Sequence, residues 1–132
     1  MIRNTYINLP VKDLNETREF FSQVGFDFDE DFSGEECVCM VIADGSFAML
    51  VVESFFRQFT KKEIADASKT TEVVTALSAD SRDEVDEMMS RALNAGGAEP
   101  IPVVNQGWMY CRTFEDPNGH IWEVFHMSQG DE

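Results

Sequence analysis

The chain shows the same order of predicted elements twice, and this internal repeat limits the folds that it can adopt. In Tyr6–Phe26, a strand pattern precedes a helical pattern that ends in glycine, and another strand pattern follows. The segment that begins at Val73 shows the same order. A repeat of about 65–70 residues is longer than the units of solenoid proteins. It therefore predicts a single domain of two βαβββ modules, whose sheets shelter a hollow between them.

In the first module, capping residues and apolar spacing define a helix. Asp13 and Glu16 form a predicted capping box, and Gly25 ends the helix. Asp44-Gly45 is a strong hairpin turn signal. The apolar face of the helix comprises Leu14, Thr17, Phe20, Phe21 and Val24. We expect strands at Thr5–Val11, Phe26–Phe32, Cys37–Ala43 and Ser46–Glu53.

The second module repeats this plan. Ser81 and Glu84 form a second capping box, and Gly96-Gly97 ends the helix. Pro100 and Pro102 predict an edge or irregular strand. The buried helix face comprises Val85, Met88, Met89, Ala92 and Leu93. We expect strands at Val73–Ala79, Ala98–Val104, Met109–Phe114 and His120–Met127. The modules are predicted to span residues 1–54 and 71–132, with a packed connection at 55–70.

Composition excludes some classes of function. The chain has 25 acidic and 10 basic residues, a net charge of −15, which disfavours nucleic-acid binding. No apolar run approaches the roughly 20 residues of a membrane span. Three cysteines without a secretion signal predict a cytoplasmic protein with reduced thiols. The acidity has two interpretations: a solvated surface that aids solubility or salt tolerance, or a field that concentrates a cationic ligand.

Three sequence motifs occur in a characteristic order: NLPVKDL, then FF and VGF, and finally DPNGHIWEV. With these motifs and the two-module spacing, nearly the whole chain resembles the vicinal oxygen chelate superfamily. This is the group of glyoxalases, bleomycin-resistance proteins and extradiol dioxygenases. The resemblance implies an α+β fold in which two βαβββ modules form a cupped mixed sheet with a central hollow. Within the group, the chain is similar to glyoxalase-like proteins often labelled lactoylglutathione lyase.

The resemblance also implies where a metal ion would bind. In metal-dependent members, one inward-facing side chain from each of four strands holds a divalent ion, which needs N and O donors at about 2.0–2.2 Å. These positions correspond to Tyr6, Met49, Val74 and Glu123. Only Glu123 is a usual donor, so we expect no metal and no other cofactor. A divalent metal is the alternative.

Glu123 is the candidate catalytic residue. It shares a strand face with Ile121 and Phe125, and the family pattern directs it into the hollow, where it would serve proton transfer or a cationic ligand. Alternatively, its carboxylate is only hydrogen-bonded to Tyr6 or Tyr110. We expect further groups to line the hollow with it: Tyr6, Asn8, Met49, Val74, Ser78, Trp108, Tyr110, Arg112 and Phe125.

The histidines and two of the cysteines receive structural interpretations. His120 follows a turn, and His126 lies on the strand face opposite Glu123, so a shared metal site is not expected. Cys37 and Cys39 share one strand face and are interpreted as small hydrophobes rather than as a redox or metal site.

Three function classes remain open. The first is a protein with a degenerate metal site that binds a small apolar or cationic molecule. The second is a lyase or isomerase of glyoxalase type that uses Glu123 as acid or base or as a metal ligand. The third is a noncatalytic dimer with a vestigial hollow. A homodimer is expected because Phe55–Phe59 carries three aromatic residues that one small domain does not fully cover.

Overall fold

The computed structural model describes residues 1–128, and the chain divides after Ala65 into two compact units. Each unit contains a four-stranded mixed sheet and one long helix. The predicted α+β class, with two βαβββ modules, is confirmed. Within the described residues, no helix is long and apolar enough to cross a membrane.

The first unit follows the predicted order of elements. Its sheet has the strand order β1-β4-β3-β2, in which β1 and β4 are parallel and the other neighbours antiparallel. Its elements are β1 (Thr5–Val11), α1 (Leu14–Val24), β2 (Asp27–Asp29), β3 (Cys37–Ala43), β4 (Ser46–Val52) and a short α2 (Glu53–Phe56).

The helix α1 begins and ends where its capping residues predict. The side chain of Asp13 accepts a hydrogen bond of 2.9 Å from the backbone N–H of Glu16. At the other end, Gly25 has a φ of 119°, a left-handed conformation that suits glycine. The buried face carries Thr17, Phe20, Phe21 and Val24, and it packs on the sheet.

The second unit has the same arrangement, with the strand order β5-β8-β7-β6. Here β5 and β8 are parallel, and the other neighbours are antiparallel. Ser81 caps the helix by accepting a hydrogen bond of 3.1 Å from the N–H of Glu84. The elements are β5 (Val74–Ser78), α3 (Arg82–Asn94), β6 (Val104–Asn105), β7 (Met109–Glu115) and β8 (Ile121–Met127).

Two predicted strands are shorter than expected. The strand predicted at Phe26–Phe32 continues as a 3-10 turn at Glu30–Phe32, because the side chain of Asp29 caps that turn. The strand predicted at Ala98–Val104 is reduced to Val104–Asn105, with a single bridge between Ala98 and Glu115. The prolines at 100 and 102 lack the N–H groups that a continuous strand would donate.

Each sheet has one face that packs on its long helix and an opposite face, here called the helix-distal face. Along each strand, successive side chains alternate between these two faces. In the second sheet, Trp122, Val124 and Phe114 are buried on the helix side. Glu123 therefore lies on the helix-distal face. In the first sheet, Leu9 and Val11 are buried on the helix side, which places Tyr6 and Asn8 on the helix-distal face.

Candidate functional site

The helix-distal face of the first sheet carries an aromatic platform. Tyr6 pairs with Phe47 across β1 and β4, and their rings stack with centroids 4.8 Å apart and planes 12° from parallel. Asn8 pairs with Met49 in the same way. Tyr6 is 43% exposed, Asn8 is exposed and Met49 is half-buried. An exposed aromatic surface beside an amide and a thioether can therefore contact an apolar or cationic molecule.

The helix-distal face of the second sheet carries Glu123. Its cross-strand neighbours are Ala76 on β5 and Thr113 on β7. The side chain is half-buried, and within the described residues its carboxylate forms no hydrogen bond or ion pair. Val74 and Phe125 lie on this same face, since Val74 pairs with Ile121 and Phe125 with Ser78. The carboxylate therefore keeps its oxygen lone pairs for a ligand or a proton.

Two residues of these faces escaped the sequence analysis. Phe47 stacks on Tyr6. It lies two residues before Met49 on the same strand, and this spacing alone could have placed it on the same face as Met49. Cys111 lies on the face of Glu123, because it pairs with Phe125. Burial raises the pKa of the Cys111 thiol, and the negative charge of Glu123 raises it further. The alternation of side chains along β7 could have located this thiol.

Tyr110 and Arg112 do not share a face with Glu123, so that part of the expectation is wrong. The register pairs Tyr110 with His126 and Arg112 with Val124, which turns both side chains toward α3. The Tyr110 hydroxyl donates a hydrogen bond of 2.6 Å to Asp86 on that helix. The alternative in which Tyr110 bonds to Glu123 is therefore also wrong.

Arg112 instead ties three parts of the second unit together. It donates a hydrogen bond of 2.9 Å to Asp86 and two of 3.0 and 2.9 Å to the carboxylate of Glu99. The hydrogen bond from Tyr110 is the main cause that lowers the pKa of Asp86, and Arg112 lowers it further. The same bond raises the pKa of Tyr110. These contacts fasten α3 to β7.

Trp108 lies in the turn between β6 and β7 rather than on a sheet face. Its side chain is 54% exposed. Arg82 holds this turn by donating hydrogen bonds of 3.1 Å to Asn105 and 2.9 Å to the carbonyl of Gly107. The structure therefore presents Trp108 at the end of the second sheet and does not place it in the row of Glu123.

The residues at the metal positions of the superfamily do not fit a divalent ion. Tyr6, Met49 and Val74 offer a phenol, a thioether and an alkyl group, which are poor ligands for a divalent metal ion. Of these four residues, Glu123 alone has a side chain that commonly binds such an ion. Across residues 1–128, no group of three or more His, Cys, Asp or Glu side chains is suited to hold a metal. His126 lies on the face opposite Glu123, and its Nδ1 is 3.0 Å from the carbonyl oxygen of Ala79.

The comparisons with known proteins identify the class to which the chain belongs. A sequence profile of the Glyoxalase/Bleomycin resistance protein/Dioxygenase superfamily matches residues 4–124. The chain therefore belongs to this superfamily, as the sequence motifs indicated. No curated protein matches the chain.

Several solved structures share the fold. A hypothetical protein, SA1046 from S. aureus, has a TM-score of 0.81 and 23% identity, and the match covers 96% of this chain and 94% of that one. A superfamily enzyme from Burkholderia phytofirmans has a TM-score of 0.76 and 16% identity, over 92% and 96% of the two chains. The fosfomycin resistance protein FosX from Listeria monocytogenes has a TM-score of 0.68 and 22% identity, over 96% and 94%. At these identities, the likeness shows the fold alone.

Proposed function

We propose that this superfamily member binds a small apolar or cationic molecule on the helix-distal face of its first sheet. The observation that carries the proposal is the stacked pair of Tyr6 and Phe47, of which Tyr6 is 43% exposed. Aromatic faces bind apolar groups by contact and cations by their quadrupole, with about 0.5–2 kcal/mol from the cation–π term. Asn8 adds a donor and an acceptor that can orient the ligand.

Charge supports the cationic part of this ligand class. The net charge of −15 favours the approach of cations to the protein. The metal positions support binding without a divalent ion, because three of the four residues there are poor donors.

A thermal-shift screen of neutral and cationic aromatic compounds tests the proposal. A compound that binds only the folded protein stabilises it by about 2.7 kcal/mol at a concentration 100 times its Kd. We expect hits whose affinity falls at least about fivefold in Tyr6→Ala, since a stacked ring contributes about 1 kcal/mol or more. A matched control is Ile101→Ala, which removes an exposed apolar side chain from the second unit. Hits that bind Tyr6→Ala as tightly as the native protein, or a screen without hits, would contradict the proposal.

A second candidate is a lyase or isomerase of glyoxalase type with Glu123 as acid or base. The half-buried carboxylate without a described partner favours it, because such a group is available to a substrate. An assay of lactoylglutathione formation tests this candidate, with elemental analysis after purification in nickel, zinc or manganese. Activity and stoichiometric metal that are both lost in Glu123→Ala would establish the enzyme. From the poor donor set we expect neither.

We also propose a homodimer that buries the aromatic cluster of the connection. Phe59 packs edge-on against Phe55 and Phe56, with ring centroids 5.7 and 5.6 Å apart, and it remains 52% exposed. Light scattering is expected to give twice the chain mass of 15.0 kDa at micromolar concentration. Phe59→Ser should shift the mass toward the monomer, whereas Ile101→Ser, at a residue of the second unit that is 49% exposed, should not. A native monomer would reject the proposal, and a dimer that binds no compound would favour the noncatalytic class.

A further inference from the structure

The first unit brings three sulfur-containing side chains to one face of its sheet. Cys37 and Cys39 are two residues apart on β3 and therefore share a face. Met49, on the neighbouring strand β4, lies directly opposite Cys39. The Cβ atoms of such directly opposed residues are about 4.5–5.5 Å apart, so the thioether can reach the thiol. All three positions belong to the helix-distal face.

The spacing of the two thiols suits a bridging ion better than a disulfide. Residues two positions apart on a strand have Cβ atoms about 6.6 Å apart, from the rise of about 3.3 Å per residue. A disulfide requires a Cβ separation of about 3.5–4.5 Å, which this strand does not provide without moving its backbone. Two metal–thiolate bonds of about 2.3 Å span at most about 4.6 Å, and about 4.0 Å in a trigonal site with a third ligand. The sulfurs reach these spans when each leans about 1.0–1.3 Å toward the other.

The surroundings of Cys37 offer an entry for a cation. Cys39 is fully buried, whereas Cys37 is half-buried and lines a groove of about 440 Å³ together with Phe32 and Phe55. The groove is also lined by Asp31, Glu35 and Glu36, whose charges attract cations. The Cys37 thiol donates a weak hydrogen bond of 3.8 Å to the carbonyl of Phe32, which an ion would replace.

From this geometry, we propose that Cys37, Cys39 and Met49 form a site for monovalent copper. Thiolate and thioether sulfurs are soft ligands that select Cu(I) over harder ions. A structural Zn²⁺ site requires four ligands, and the described residues contain no group of three or more His, Cys, Asp or Glu suited to a metal. On binding, each thiol releases its proton to solvent and coordinates as a thiolate, while Met49 contributes a lone pair. No electron is transferred.

The copper site does not depend on the proposed small-molecule function, although Met49 lies in both. Tyr6 supplies the aromatic platform and takes no part in copper binding. Tyr6→Ala is therefore expected to lose affinity for aromatic compounds and to keep its affinity for Cu(I). Failure of one proposal would thus leave the other standing.

The test is a competition for Cu(I) between the fully reduced protein and a chromophoric Cu(I) chelator. The experiment is carried out under anaerobic conditions. We expect one ion per chain, with S–Cu charge-transfer absorption in the near ultraviolet. Cys37→Ser should lower the affinity at least about tenfold, because loss of a ligand costs at least as much as loss of an outer-shell partner. Met49→Leu should lower it by a smaller factor. The matched control is Cys111→Ser, which removes the third thiol of the chain, on a different sheet, and should bind like the native protein.

Several outcomes would overturn the site. If Cys37→Ser binds Cu(I) as tightly as the native protein does, the ion is not held between the thiolates of Cys37 and Cys39. An equal loss in Cys111→Ser would show that Cu(I) binding does not depend specifically on Cys37 and Cys39. Cys39 is buried, so Cys39→Ala is compared only where its circular dichroism matches that of the native protein. Cys37→Ser, at a half-buried position, decides the question if Cys39→Ala fails to fold.

Discussion

Asp116 is a carboxylate that is only 4% exposed, and it organises the turn before β8. One oxygen accepts hydrogen bonds of 2.8 and 3.0 Å from the backbone N–H groups of Asn118 and His120. The other accepts a bond of 3.1 Å from the indole N–H of Trp122, which stacks on Phe114 in the core. Burial raises the pKa of Asp116. A single side chain thus joins the turn to the core of the second unit.

We predict that Asp116→Asn lowers the free energy of unfolding by about 1–3 kcal/mol in urea titrations. The amide can still accept from the two backbone N–H groups, but its NH₂ group faces the indole N–H of Trp122 and cannot accept the hydrogen bond that the carboxylate accepts. The matched control is Asp44→Asn at an exposed turn, where little change is expected. Equal stability of the two variants would contradict this account.

The same substitution has a predicted pH dependence. Because the pKa of Asp116 is raised in the folded protein, folding is favoured by protonation. The native protein therefore gains stability from this group as the pH falls from the folded pKa toward the unfolded value of about 3.9. Asp116→Asn lacks this gain, so the stability difference between the two proteins should widen as the pH falls through that window. A difference independent of pH in urea titrations would argue against a raised pKa.

Tyr110→Phe is predicted to raise the pKa of Asp86 toward its ordinary value, because the hydroxyl hydrogen bond is the main cause of the lowering. A carboxyl group with a lowered pKa stabilises the fold above the unfolded pKa, and this contribution is lost as the pH falls through the folded pKa. The variant should therefore lose less stability in acid. Carbon NMR of the carboxyl group measures the pKa directly, with Tyr6→Phe as the control. An unchanged Asp86 titration would refute the assignment.

The position of single side chains was predictable along a strand but not between strands. Alternation placed Glu123 opposite the buried Trp122, as observed. The same rule could not place Tyr110 relative to Glu123, because the relative phase of β7 and β8 depends on the length and geometry of the turn between them. In the structure Tyr110 pairs with His126, one residue out of phase with the expectation.

At the scale of elements, local signals located the helices better than the short strands. The capping residues Asp13 and Ser81 begin α1 and α3, since a side-chain oxygen that satisfies a free N–H acts within one turn. The edge strands β2 and β6 contain three and two residues. The residues at which these strands end depend on pairing with a neighbouring strand. The alternation of apolar and polar residues within one segment therefore cannot predict those ends.

Gly119 provides a test of how closely the turn before β8 packs. Its φ is 94°, and an added Cβ would lie 2.6 Å from the backbone carbonyl of Ala67 in the same unit. Gly96 has a similar φ of 106°, but nothing lies within 4 Å of its added Cβ. We predict that Gly96→Ala costs about 1–2 kcal/mol of backbone strain. Gly119→Ala should cost a further 1–3 kcal/mol, roughly the cost of overpacking. Equal costs in chemical denaturation would show that the turn is not closely packed.

For the whole molecule, the dominant feature is an excess of 15 negative charges on 132 residues. Self-repulsion of this charge opposes folding, and salt screens it over about 10 Å at 0.1 M but only about 3 Å at 1 M. We predict that the midpoint of thermal unfolding rises by about 3 °C or more between 0.1 and 1 M NaCl. The variant Glu35→Lys with Glu36→Lys has fewer net negative charges and should show a smaller rise. A midpoint that falls with salt would contradict the prediction.

The distribution of indole rings has a consequence for spectroscopy. The chain has two tryptophans, and both lie in the second unit: Trp122 is fully buried, whereas Trp108 is 54% exposed. Their fluorescence should therefore separate into a blue-shifted component shielded from acrylamide and a red-shifted component that acrylamide quenches. Because the first unit has no tryptophan, an emission change during denaturation reports on the second unit. Comparison with far-ultraviolet circular dichroism then shows whether the two units unfold together.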